Sequence, residues 1–193
     1  QKLALDGVLS VPRPLRALIV DRVQRLPDRE RDLLVAAAIL GAPVDVSVLA
    51  GMLDLSLGKV SLLADALTKK QLLTREDPVS LGFSTSMLPE VVLGELDPDA
   101  RLELHAAAAN AYAMVLGERT EQEAARIAHH FAEAGERTRA AGYYATSAYF
   151  HLSSRRLERA AQDFRRALDL SDWRTQDPHE LASWIASLGQ AVR

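Results

Sequence analysis

Val11-Pro12-Arg13-Pro14-Leu15-Arg16-Ala17-Leu18-Ile19 opens the stretch that decides the fold. It runs on through Arg22 to Leu26-Pro27-Asp28-Arg29-Glu30-Arg31, then through Leu33-Leu34 to Ala36-Ala37-Ala38-Ile39-Leu40-Gly41. Pro12 and Pro14 set an extended approach, because a proline ring fixes its own φ and biases the residue before it away from helix. Leu15, Leu18, Ile19, Arg22 and Val23 then recur at helical spacing, and Leu26-Pro27 ends that helix. Asp28 stands where it can cap the next one. Its Leu33, Leu34, Ala37, Ala38 and Leu40 are too apolar for a surface helix, so it reads as a core helix closed by Gly41.

Outward from this core helix, Pro43 and Asp45 open a short helix through Leu49 and Met52. Ser56 caps another, running to Lys70, in which Leu57, Val60, Leu63, Ala64 and Leu67 mark one face. Gln71-Leu72-Leu73-Thr74-Arg75 and Leu81-Gly82-Phe83 flank a turn at Asp77-Pro78. Three helices joined by short turns and followed by two such strands read as a winged helix. After the wing, Phe83-Ser84-Thr85-Ser86 leads to Glu90-Val91-Val92, Leu96, Arg101 and Leu104-His105.

Together these residues resemble the segment that follows the nucleotide-binding core in bacterial signalling ATPases of the STAND class, which include regulators and cyclase-linked or kinase-linked proteins. Thr85 stands where that family often carries His. The resemblance implies the middle of a longer machine whose catalytic parts lie outside this chain. A start at Gln1 and an end within a helical pattern fit a piece of a larger protein.

From Asp97-Pro98 onward the pattern is helical pairs, expected near residues 98–116, 121–134, 137–152, 155–170 and 178–192. Asp97 caps with Pro98 at the first helical position, Thr120 with Glu123 forms a capping box, and Asp177 with Glu180 a similar one. This half resembles tetratricopeptide repeats, antiparallel helix pairs recurring with a period of about 34 residues. Tyr144, Ser147, Ala148 and His151 match first-helix positions, and Ala160, Phe164 and Ala167 match second-helix positions. Asp172 stands where a proline often ends the repeat. Leu188-Gly189 matches a further first helix, set off by a linker from Trp173 to His179. Ala128-His129-His130-Phe131, with Ala134-Gly135, Ala140 and Tyr143-Tyr144, resembles a degenerate preceding repeat. Small residues are needed where helices cross closely, and the aromatic fills the groove between neighbours.

Bulk properties agree with a helical fold. Ala, Leu, Arg and Glu dominate while aromatics make up only 5% of the 193 residues, a bias toward strong helix formers. A formal charge of −3 gives no global attraction to nucleic acid or anionic membrane. The chain has no cysteine, which excludes disulfides and thiolate metal sites and fits a reducing, cytoplasmic setting. No apolar run reaches spanning length, since Leu33 to Leu40 is cut by Gly41 and Pro43, and no signal peptide is present.

The usual chemical motifs are incomplete. Gly58-Lys59 lacks the hydroxyl and the leading glycine of a phosphate loop, so Lys59 reads as a helix-surface lysine. His129 and His130 point about 100° apart on a helix and cannot chelate one ion, leaving one packed and one solvated imidazole. No nucleophile elbow places Ser, His and Asp together. No catalytic residue, cofactor or metal is assigned.

Two surfaces remain. Lys59, Lys69, Lys70 and Arg75 are the candidate DNA contacts of the third helix and wing, opposed by Asp65, Glu76 and Asp77. Tyr149, Arg155, Arg156 and Arg159 are the candidate partner surface, and Tyr143, Phe150 and Trp184 are further aromatics that could line it. Glu158, Asp163 and Asp169 interleave with the arginines, including Arg165 and Arg166, at helical spacing, which predicts a solvated, ion-paired face.

The expectation is an all-α chain with a winged-helix-like domain over 1–96, its small β-wing the only sheet, and tetratricopeptide-like hairpins over 97–193. Tyr144, Ala148, Ala160, Phe164, Ala167, Leu188 and Gly189 carry the repeat packing. By resemblance it is a non-catalytic regulatory and scaffolding arm of a signalling ATPase that contacts a protein partner or other domains of its own chain. The alternatives are the DNA-contacting part of a transcription regulator and a plain helical adaptor.

Overall fold

Residues Arg13–Gln24 form α1 and Asp28–Leu40 form α2 in the computed structural model, which describes residues 13–117, 120–172, 174 and 176–192. The lead-in through Pro12, and Trp173 in the expected linker, lie outside the described residues. Pro14 sits inside the first turn of α1 rather than before it, at a position where a helix has no use for the missing N–H. Asp28 is likewise the first residue of α2 and not its cap; its carboxylate faces Arg31 across one turn, and no side chain caps this helix. Leu33, Leu34, Ala36 and Ala37 are wholly buried, as a core helix requires. Gly41 closes it at φ +71°, where an L side chain is strained, and donates its N–H to Ala37 O.

A two-residue strand, β1 (Val44–Asp45), follows before α3 (Val46–Leu53) and α4 (Leu57–Lys69). The alternation rule had no chance of finding a strand two residues long. Asp45 both pairs with Ser80 in the sheet and caps α3, its Oδ1 accepting from Ser47 N at 2.7 Å and Val48 N at 3.3 Å. Ser56 caps α4 as expected, accepting from Lys59 N. Strands β2 (Leu73–Arg75) and β3 (Ser80–Phe83) form the hairpin, and the sheet runs in the order β1-β3-β2, all antiparallel. Asp77 fixes the turn by accepting from the backbone N–H groups of Val79 and Ser80 and from Ser80 Oγ. The sheet therefore has three strands, one more than the wing alone.

Helix α5 (Met87–Gly94) returns across α1 and α2, and α6 (Pro98–Val115) begins with Asp97 accepting from Asp99 N at 2.9 Å. α6 is buried on two sides, against α3 and α7 (Thr120–Glu133), which explains its run of alanines. At the first of these crossings a Cβ on Gly51 would lie 3.2 Å from Val115 Cγ2. The apolar core of α2 to α4 continues without interruption through Ala108 and Tyr112 of α6 into Ile127 and Phe131 of α7. Packing is thus unbroken where the chain passes residue 97.

The remaining helices are α8 (Arg137–Ser153), α9 (Leu157–Leu170) and α10 (Pro178–Ala191), each packed on its predecessor. All five second-half helices fall within about two residues of their expected ends. The expected capping box at Thr120 is absent: its hydroxyl donates to Gly117 O at 2.6 Å, and Glu123 turns toward Arg126 instead. Asp177 does cap α10 by accepting from His179 N, but Glu180 accepts from Gln176 Nε2 rather than closing a box. The chain is mostly helical, and no single helix among the described residues is long and apolar enough to cross a membrane.

Candidate functional site

The four candidate DNA contacts do not form one field. Lys70 pairs with Glu30 of α2, while its carbonyl accepts from Arg22. Arg75 reaches back from β2 to α4, donating to Asp65 Oδ1 at 2.8 Å and Ser61 Oγ at 3.3 Å. Of the four, only Lys59 and Lys69 are exposed without an acidic partner among the described residues, at opposite ends of α4. Between them the same helix exposes Leu62 at 72%, and Leu57 and Val79 are also solvent-facing. An apolar, charge-neutralised helix face gains little from a phosphate backbone.

In the second half, Tyr144, Ala148, Ala160, Phe164 and Ala167 are all buried, with Trp184 of α10 closing the cluster. Phe164 receives the edge of Tyr149 at 5.1 Å between ring centroids. Leu188 is half-buried. Gly189 has open space where a Cβ would stand, on the helix whose repeat partner is expected beyond Arg193. Tyr143 stacks on Phe131, and the Tyr149 hydroxyl lies 2.8 Å from Ser183 Oγ, which ties α8 to α10. Tyr149 thus packs on Phe164 and Ser183 while remaining 40% exposed.

The ion-paired face expected on α9 is not what forms. Asp163 turns inward, only 5% exposed, where Ser147 Oγ donates to its Oδ2 at 2.7 Å. Arg166 alone among the neighbouring arginines approaches it, at 3.6 Å. Arg155, Arg156, Arg159 and Arg165 make no ion pair among the described residues. The burial of Asp163 removes one of the three acids that the spacing had assigned to them; Glu158 and Asp169 stay exposed.

Arg156 and Arg159 instead line a cleft of about 500 Å³ between α7 and the α8–α9 turn, together with Arg126, His151, Glu123 and Phe150. Arg155 is absent from this lining; it occupies the turn itself at φ +56°. Arg126 stands over the Tyr112 ring at 5.7 Å, donates to the Tyr112 hydroxyl at 3.3 Å and lies 3.7 Å from Glu123. His151 Nε2 is 3.8 Å from Asp163 Oδ2, and its buried Nδ1 has no hydrogen-bond partner. Burial holds the His151 imidazole below its usual range; Asp163 opposes this, and Arg156 and Arg159 reinforce it. Sequence spacing missed Arg126 and His151 as members of a site, because the cleft draws on three separate elements.

A second constellation sits at the α6–α7 seam. His105 and His130 are 4% and 2% exposed, with His129 solvent-facing beside them, as expected of one packed and one solvated member of the His129-His130 pair. Their Nδ1 atoms lie 3.0 Å apart, so one imidazole donates to the other, and both Nε2 atoms are buried without a partner. The Tyr112 ring stacks on His130 at 5.6 Å. The pair ties α6 to α7.

Comparison of this chain with protein-family models, with curated proteins and with solved structures finds no match in any of the three.

Proposed function

We propose that this chain is a non-catalytic regulatory and scaffolding segment of a larger bacterial signalling ATPase, working through contacts with a protein partner or with other domains of the same protein. The class of the parent protein is what the resemblance of residues 11–105 implies. A winged-helix reading of the first half is supported by the succession α2, β1, α3, α4 and the β2–β3 hairpin. The tetratricopeptide-like reading of the second half is supported by the sequential packing of α6 to α10 and by the burial of Tyr144, Ala148, Ala160 and Phe164.

The observation that carries the reading is the double engagement of α6. It is packed on α3 in the first half and on α7 in the second, within one continuous apolar core. Close-packed interiors transmit displacement rather than absorb it, so a change felt by the first half is delivered to the row of helices beyond.

Hydrogen exchange along α6 to α10 in the intact natural protein, with and without ATP, tests this. Altered protection in these helices on nucleotide addition is the expected result. Exchange that is identical in both states would remove the coupling role. The DNA-contacting alternative predicts instead that protection changes at α4 when duplex DNA is added.

A further inference from the structure

We propose that the cleft between α7 and the α8–α9 turn is a binding site for an acidic peptide segment, with Arg126, Arg156 and Arg159 receiving its carboxylates and Phe150 receiving an apolar neighbour. The proposal rests on the scaffolding reading above and names the chemistry of one partner.

Three guanidinium groups share the cleft lining with one carboxylate, Glu123, which is already beside Arg126, while His151 lies 3.8 Å from the buried Asp163. Arg156 and Arg159 are left without any acidic partner among the described residues, both of them exposed. Arg139 is engaged by Glu136 and Asn110, whereas these two line a concavity without such a partner among the described residues. Guanidinium pairs suit carboxylates because each offers a planar fork of donors.

Two independent features add to the charge. Helix α9 starts without any side-chain cap, so the amides of its first turn are open to an acceptor and its dipole favours negative charge there. His151 Nδ1 is buried in the cleft lining with no partner, a donor in waiting once the ring is protonated. An anion seated nearby would hold that proton on.

A peptide fits the shape better than a small ion does. The cleft is about 500 Å³, far larger than a small ion needs, and its lining sets Phe150 among the arginines. Such a surface suits carboxylates spaced along an extended chain with an aliphatic side chain between them.

The test is fluorescence anisotropy of a fluorescein-labelled Asp-Glu-Leu-Glu-Asp peptide titrated with this chain at low salt and at about 0.15 M salt. Saturable binding is expected, weakened at least about tenfold by Arg156→Glu with Arg159→Glu and unchanged by Arg165→Glu on the opposite side of α9. Glutamate near the start of a helix is favourable, so the double variant should fold, and Arg156→Gln with Arg159→Gln provides a neutral check. The His151 ring signals in the NMR spectrum should titrate at higher pH with peptide bound than without. No saturable binding, equal weakening by Arg165→Glu, or displacement of the peptide by inorganic phosphate at matching concentration would each overturn the proposal. Failure here with nucleotide-dependent exchange intact would remove the peptide site and leave the scaffolding role standing.

Discussion

His105 Nδ1 and His130 Nδ1 meet at 3.0 Å across the α6–α7 seam, a hydrogen bond that requires at least one of the two imidazoles to be neutral. Burial pushes both below their ordinary pKa, and for His130 the neighbouring His105, His129 and Arg126 add to it, taking it from 6.5 down to about 3. Glu133 opposes the shift at His105, while Arg101 and His129 reinforce it. The seam is therefore built for the unprotonated state.

A pH dependence of stability follows directly. Above pH 6.5 neither the folded nor the unfolded chain protonates these groups and the seam contributes in full. As pH falls below 6.5 the unfolded His130 takes up a proton that the folded one refuses until about pH 3, so stability is lost through that window. The loss from this residue alone is about 2 kcal/mol between pH 6.5 and about pH 5. Urea midpoints measured at pH 7.5 and pH 5, roughly spanning this range, should separate clearly for the native chain. Replacing both residues, His105→Phe with His130→Phe, should flatten the profile; an equally steep one would place the titrating groups elsewhere.

Phe164 is wholly buried in the α8–α9–α10 cluster with Tyr144, Ala148 and Trp184. Truncation to alanine removes most of a ring whose surroundings are fixed by helix backbones, so the site cannot collapse fully. Phe164→Ala should cost about 3 to 5 kcal/mol and lower the melting temperature by several degrees. A melting temperature equal to that of the native chain would mean that α9 does not present this face to α8 and α10.

Most of the helical plan was legible because its signals are periodic and local. The α9 apolar face through Ala160, Phe164 and Ala167, and the caps at Asp97 and Asp177, need nothing but spacing and residue type. The cap at Asp28 and the boxes at Thr120 and Glu180 failed to neighbours within four residues, whereas the other failures involve a partner from elsewhere in the chain. Asp163 looked like a surface ion-pair member until Ser147 of the preceding helix drew it inside. Asp45 looked only like a cap until β3 arrived to pair with it. The buried histidine pair joins residues 25 apart in sequence, and no periodicity of one helix reports that.

Arg155 holds a left-handed conformation, φ +56°, where it ends α8, and the chain closes this turn with Arg155 N donating to Leu152 O and Arg156 N to His151 O. The same ending is made by Gly135 after α7, at φ +79°. A side chain in this region costs about 1 to 2 kcal/mol, and glycine returns part of it through its greater unfolded-state freedom. Arg155→Gly should therefore stabilise the chain by about 1 kcal/mol in denaturant titration. Since Arg155 does not line the cationic cleft, the peptide affinity should be unaffected.

Arg75 and Lys70 are each engaged by a carboxylate of the same half, Asp65 and Glu30, and Leu62 lies exposed on α4 between Lys59 and Lys69. Two uncompensated lysines release few counterions from a duplex, so the salt slope of any association would be shallow. Anisotropy of mixed-sequence duplex DNA titrated with the chain should show no binding at about 0.15 M salt and, at most, weak association at low salt. Disrupting the Arg75–Asp65 pair with Asp65→Asn frees a guanidinium on the helix–wing surface, and it should raise the low-salt affinity measurably if charge is what limits contact. Strong native binding that is lost on Lys59→Glu with Lys69→Glu would instead make α4 a DNA-reading helix, with Leu57 and Leu62 exposed for contact with base methyl groups rather than with protein.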